Sequence, residues 1–286
     1  MSSVLFDVPG PRARRRHLVY SGLTVLALAG VFFVVGKRLY DEEALTPELL
    51  NQTFQNRYVE FLLEGMLQTL KAAVLGISCA LVFGVVLAVG RISIHRILRW
   101  PTVAVIEFFR AVPLVMLIIF IFYGIRNDEL FAVVAGLTLY NGAVLAEVFR
   151  AGVNAVPKGQ SEAAYAIGMR KTQVTSIVLL PQAVKFMLPA IVSQCVIVLK
   201  DTALGYVIVY AELVRYARQL AGSVDNSTIL VYSTVALMFI VINYGLSKLA
   251  EYLQRRMSRS RPDVDDGAAQ VSRVKAGEMG GGGPGG

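Results

Sequence analysis

The sequence predicts an all-α integral membrane protein of about six transmembrane helices, and three observations carry that expectation. Of its 286 residues 55% are hydrophobic and only 17% are charged, with a mean hydropathy of +0.59, values too apolar for a water-soluble domain. Apolar runs recur at the length of about 20 residues that a helix needs to cross a bilayer. The basic residues gather in alternate segments between those runs.

The runs occupy residues 18–36, 67–89, 103–125, 130–148, 176–199 and 229–249. With the N terminus placed in the cytoplasm, 17 of the 28 lysines and arginines fall on the cytoplasmic side and 7 on the outer side. The cytoplasmic set comprises the N-terminal arm, residues 90–102, residues 149–175 and the C-terminal tail. Basic residues in short loops stay in the cytoplasm, so both termini are expected there. The first run has a second reading, because Arg12 to Arg16 followed by Ala27-Leu28-Ala29 resembles a signal peptide and its cleavage site. Residues 31–35 carry the apolar run past that site, which favours an uncleaved anchor.

The net charge of +8 does not imply nucleic acid, since the basic residues are spread through loops with no aromatic-interleaved basic surface. Cys79 and Cys195 both lie in apolar runs and read as small buried residues rather than a disulfide pair. His17 and His95 flank spans in basic segments, and neither metal-ligand spacing nor a G-x-S-x-G elbow is present. No catalytic residue, metal site or cofactor is expected. A GxxxxGK[ST] phosphate loop is also lacking, so an energy source for transport has to come from a partner.

The most telling segment is 162–183, EAAYAIGMRKTQVTSIVLLPQA, which is polar, rich in small residues and set between long apolar runs. Glu162, Ala163, Ala164, Gly168, Leu180 and Pro181 resemble the EAA signature of the permease subunits of type I ATP-binding-cassette (ABC) importers, with Val178 in place of the usual isoleucine. Further matches resemble the polar amino acid group, which handles glutamate, glutamine, histidine or arginine. Gly65-Met-Leu-Gln-Thr69-Leu70 resembles its G-x-x-x-T-L opening. Arg110-Ala111-Val112-Pro113-Leu114-Val115 resembles R-G-x-P-L-L, with Ala111 and Val115 departing from the pattern. Glu147-Val-Phe-Arg150 resembles its E-I-x-R segment, and Lys200-Asp201-Thr202-Ala203-Leu204 resembles K-D-T-S-L, with Ala203 in place of serine.

The resemblance implies a five-span importer core at 61–249. Residues 1–60 would hold a cytoplasmic arm, an extra anchor and an acidic outer loop, and 250–286 a disordered cytoplasmic tail. It also implies a multi-pass protein of the bacterial plasma membrane that is not itself an enzyme. Residues 162–168 would form a coupling helix seated in a separate ABC ATPase subunit, with Gly168 permitting a turn and Arg170 and Lys171 at the helix end. An extracytoplasmic solute-binding protein would deliver the substrate, and a second permease, identical or paralogous, would complete the path.

Within the spans, Arg110, Asn141, Lys200, Asp201 and Thr202 are the candidate path residues, because charged and amide groups in a bilayer face partners or wet cavities. Each has a structural alternative. Arg110 can pair with Glu107 at i, i+3 spacing, Asn141 can bond a neighbouring helix, and Lys200 and Asp201 can neutralise each other. Glu147 and Arg150 read as an ion pair. Pro181 and Pro189 are expected to interrupt the fifth span. Lys71, Arg110, Lys185 and Lys200 outnumber the acids of the core spans, which points to glutamate or glutamine before histidine, arginine or cystine. The rivals from other classes are an ATP-independent channel and a membrane-embedded enzyme.

Overall fold

The structure, a computed structural model, describes residues 11–41, 46, 51, 56–93, 95–223 and 228–258. Among these residues the chain is helical and no strand occurs. In order the helices are α1 (Pro11–Asp41), α2 (Asn56–Ile92), α3 (Arg96–Ala111), α4 (Leu114–Gly124), α5 (Glu129–Asn154), α6 (Lys158–Ala166), α7 (Leu180–Asp201), α8 (Leu213–Ala221) and α9 (Thr228–Ser258). Arg16–Arg38, Tyr58–Ile92, Glu129–Asn154, Lys171–Ile208 and Thr228–Leu249 are long and apolar enough to span a membrane. Acidic residues Glu42, Glu43 and Glu48 of the expected outer loop, and the tail beyond Ser258, lie outside the described residues. The helix α9 itself runs nine residues past the expected boundary at Leu249.

Two expectations are corrected. The run 103–125 is not one straight span, because α3 and α4 meet at 100°. The cause is local: a residue before proline is pushed out of helical geometry, and Val112 is extended at φ −78, ψ 128. Pro113 then starts α4 from φ −57. Secondly, Pro181 and Pro189 do not interrupt α7. Pro181 occupies its first turn, where no amide proton is needed, while Pro189 sits inside a continuous helix. Pro181 cannot donate to the carbonyl four residues earlier. The preceding turn, Val174–Leu179, widens into a π-helix in which the Leu180 N–H reaches the Thr175 carbonyl, which absorbs the mismatch.

The chain forms two compact units. One contains Gln68–Tyr210 together with Phe239–Gly286. Here α5 is the central helix, burying Leu137, Asn141, Ala143 and Ala146 against its neighbours. Its crossing with α2 is made of small residues: a Cβ on Gly84 would stand 2.9 Å from Leu145 Cβ and 3.0 Å from the Gly142 carbonyl oxygen. A Cβ on Gly142 would in turn stand 2.6 Å from Phe83 Cδ1 and 3.3 Å from the Ala80 carbonyl oxygen. Small residues spaced by four on both helices let the backbones touch, which replaces the hydrophobic drive that a bilayer does not supply. Ile118 and Ile121 of α4 pack with Val133 and Leu137 of α5 and Val198 of α7 into the main buried cluster.

Past α7 the chain tightens into a 3-10 helix, Thr202–Ile208, that ends at Val209 with φ 67, ψ 16. Val209 is the positive-φ residue other than glycine among those described.

The second unit contains Met1–Leu67 with Ala211–Met238. Its short helix α8 buries Leu213, Ala217 and Leu220. Tyr216 sets its ring edge-on to Phe61 at 4.4 Å between centroids. A Cβ on Gly65 would stand 3.0 Å from the Tyr216 ring and 3.1 Å from Leu213 Cα, which explains the glycine of the 65–70 motif. The side chains of α1 between Arg16 and Arg38 are exposed throughout, as on a helix solvated by lipid.

Candidate functional site

Residues 158–168 form a short helix closed by a glycine turn. After α6 the Gly168 N–H donates to the Tyr165 carbonyl at 2.9 Å and the Met169 N–H to the Ala164 carbonyl at 3.2 Å. These bonds satisfy the last carbonyls of the helix in the pattern that requires a left-handed residue. Gly168 supplies it at φ +82. It therefore lies just past the helix rather than on it. Arg170 and Lys171 stand further along, at the start of the next turn, Lys171–Gln173, where the Arg170 N–H donates to Gln173 Oε1 at 2.9 Å. They do not cap α6.

The faces of the loop divide cleanly. Ala164 is buried and so is Val174 of the π turn, while Glu162, Ala163, Tyr165, Gly168, Leu180 and Pro181 are exposed. A bond between the Gln182 and Gln160 side chains, at 3.2 Å, ties α6 to the first turns of α7. Ile167, 80% exposed, offers a large apolar side chain at the end of this polar loop.

The candidate path residues sit on α3, on α5 and at the end of α7, and with their polar neighbours they fall at three levels. Asn141 of α5 accepts a 2.6 Å hydrogen bond from Gln194 Nε2 of α7 and donates at 3.1 Å to the Leu137 carbonyl. Gly152 meets Ala183 and Met187, so the two helices run antiparallel. Glu147 lies six residues beyond Asn141 and Lys200 six residues beyond Gln194. At 1.5 Å per residue the two sit about 9 Å to either side of the amide pair.

At one end Lys200 is exposed, Asp201 half-buried and Thr202 buried, with the Thr202 hydroxyl donating to the Leu199 carbonyl at 2.7 Å. Among the described residues no ion pair joins Lys200 to Asp201. At the other end Glu147 is gripped by two arginines, Arg91 of α2 at 2.9 Å and Arg150 of its own helix at 2.8 Å. Arg91 also faces Glu107 at 3.9 Å, and Glu107 faces Arg110 at 3.8 Å. Arg110 thus belongs to a charge network at the α6 end of the bundle, and it is not brought together with Lys200, Asp201 and Thr202. Sequence reasoning anticipated the Glu107–Arg110 and Glu147–Arg150 pairs but missed Gln194 and Arg91. A lone carboxamide inside an apolar run was the available signal for Gln194.

Glu212 was also missed. Its side chain is fully buried and caps α8, accepting from the Val214 N–H at 2.7 Å and the Arg215 N–H at 2.8 Å. Burial pushes its carboxyl pKa up to about 7, against the downward pull of those two amides. The native state therefore holds a proton that the unfolded chain releases near the ordinary carboxyl value of 4.5. Stability from this group is present below that value and is lost as pH rises toward 7, by about 3 kcal/mol in all. Thermal unfolding in detergent should show the purified chain losing stability between about pH 5 and about pH 8 relative to Glu212→Gln, whose side chain does not titrate. Parallel profiles for the two proteins would contradict this assignment.

Residues 80–259, more than half of the chain, match the family described as the binding-protein-dependent transport system inner membrane component, and the chain belongs to that family. It is 45% identical over 234 residues to the glutamate transport system permease protein GluD of Corynebacterium glutamicum, covering 79% of this chain and 84% of that one. It is 34% identical over 212 residues to the probable glutamine ABC transporter permease protein GlnP of Bacillus subtilis, covering 72% and 97%. A crystal structure of an amino acid ABC transporter with histidines superposes at a TM-score of 0.66 with 30% identity, covering 70% of this chain and 95% of that chain. The fold is that of a type I ABC importer permease, and the chain is similar to amino-acid permeases over 70–79% of its length.

Proposed function

We propose that this chain is the permease subunit of an ATP-driven importer of polar amino acids, with glutamate or glutamine as substrate. The observation that carries the proposal is the loop 158–168, a knob closed by the Gly168 turn with Glu162, Ala163 and Ile167 exposed on it. A separate ATPase subunit grips that knob, and its closure on ATP biases the bundle between two arrangements. The permease works paired with a second permease and receives substrate from an extracytoplasmic binding protein. Both termini are cytoplasmic, 61–249 is the transporting core, 1–60 is an added arm, anchor and outer loop, and 250–286 a cytoplasmic extension. The names of the relatives support the substrate class.

Lys200, Asp201 and Thr202 would receive substrate at the outer end of the path, and Asn141 lies midway. The amide of Asn141 is already engaged by Gln194, so its contribution to the path includes holding α5 to α7. Arg110 acts at the inner end as part of the charge network.

Reconstitution with ATPase subunits, a companion permease and binding protein tests the reading. Labelled glutamate should enter vesicles only with ATP, with glutamine competing better than histidine, arginine or cystine. Uptake without ATP or ATPase would establish a channel instead. In the same assay Asp201→Asn should lower uptake about tenfold, near 1.4 kcal/mol, while the complex stays assembled. An unchanged rate and substrate profile would remove Asp201 from the path.

A further inference from the structure

The first two turns of α3 are built against the preferences of a helix in water. Arg96 and Arg99 stand at its N-terminal end, the positive pole of the helix dipole, and no acidic residue occupies the first turn to offset them. Its N-cap, His95, makes no side-chain cap hydrogen bond. Among the described residues neither arginine forms an ion pair. Between them the chain displays apolar side chains: Ile97 is 88% exposed, Leu98 57% and Trp100 68%. Arg96, Arg99 and Trp100 share one face at i, i+3 and i+4 spacing, with Ile97 a turn from Trp100.

We infer that this face of α3 binds anionic phospholipid at the membrane–water interface. The guanidinium groups of Arg96 and Arg99 meet the phosphodiester and its net negative charge, while Trp100 and Ile97 enter the boundary between headgroups and acyl chains. Each part answers one of the local anomalies. The negative headgroup supplies the charge that the positive helix end lacks, and the acyl boundary takes up the apolar side chains. A free phosphate or nucleotide would satisfy only the arginines and leave Ile97, Leu98 and Trp100 in water. The 100° bend to α4 frees α3 from the direction of its neighbour, as required of a helix with a lipid-facing side and a basic end.

Trp100 is the single tryptophan of the sequence, so it reports on this face alone. The full chain is reconstituted in phosphatidylcholine vesicles carrying an equal mole fraction of dibrominated phosphatidylglycerol or dibrominated phosphatidylcholine, and Trp100 quenching is compared. The anionic quencher should be preferred about tenfold, from two arginines near such a surface less the loss to mobility. Arg96→Gln with Arg99→Gln should bring the preference to parity, and so should raised salt on the unaltered chain, which does not depend on the variant folding. Equal quenching by the two lipids, or a preference that survives both treatments, overturns the inference. Absence of quenching by either lipid does so as well, because it means a protein surface covers the ring. The measurement needs no ATPase, so its outcome is separate from that of the transport assay.

Discussion

Gly168→Val should cut both ATPase co-purification and ATP-driven uptake by tenfold or more while leaving membrane insertion and the helical bundle intact. Nothing lies within 4 Å of a Cβ built on Gly168, so crowding is not the cause. Its φ of +82 is the cause. A left-handed backbone costs an ordinary residue about 1–2 kcal/mol, and a β-branched side chain lies at the upper end of that range. The turn then surrenders its bonds to Tyr165 and Ala164, and Ile167 no longer points where a partner would find it. Asparagine tolerates the left-handed region better than alanine, so association should fall in the order glycine, asparagine, alanine, valine. Full uptake by the valine variant would remove this turn from the coupling mechanism.

Gly84→Leu should destabilise the bundle by several kcal/mol, seen as a fall of about 10 °C in the thermal midpoint of the purified chain. The obstacle to the new side chain is the Gly142 carbonyl oxygen at 3.0 Å, which is backbone and has no rotamer by which to leave. The two helices must part, and the contacts of Phe83 and Leu145 go with them. Gly30→Leu on α1 is the matched control, because a Cβ there meets nothing within 4 Å. Its midpoint should stay within about 2 °C of the parent. Equal behaviour of the two variants would mean that the close crossing contributes nothing.

The long spans were legible in the sequence because a bilayer imposes a length, and length survives averaging along a window. The bend in 103–125 was not legible for the same reason. Val112 and Pro113 change the direction of the backbone without changing its hydropathy. Proline misled in the opposite sense at 181 and 189: the widened turn at 174–179 makes up the hydrogen bond lost at Pro181, and Pro189 is carried inside a continuous helix. The closing turn of the loop 158–168 could be read because its geometry depends on one residue type at one position, Gly168. The partners of Asn141 and Glu147 could not, since Gln194 is 53 residues away from Asn141 and the pairing exists only once α5 and α7 lie side by side. Arg91 looked like one more basic loop residue until the fold set it beside Glu147.

Val209 has a wider implication. A valine held where glycine would sit at ease raises the energy of the closed segment by about 1–2 kcal/mol, equivalent to a factor of about 5 to 30 in the population of any unwound form. That stored tension lies directly downstream of Lys200, Asp201 and Thr202. Any event that unwinds the 3-10 segment beside Asp201 and Thr202 therefore starts with that much of its cost already met.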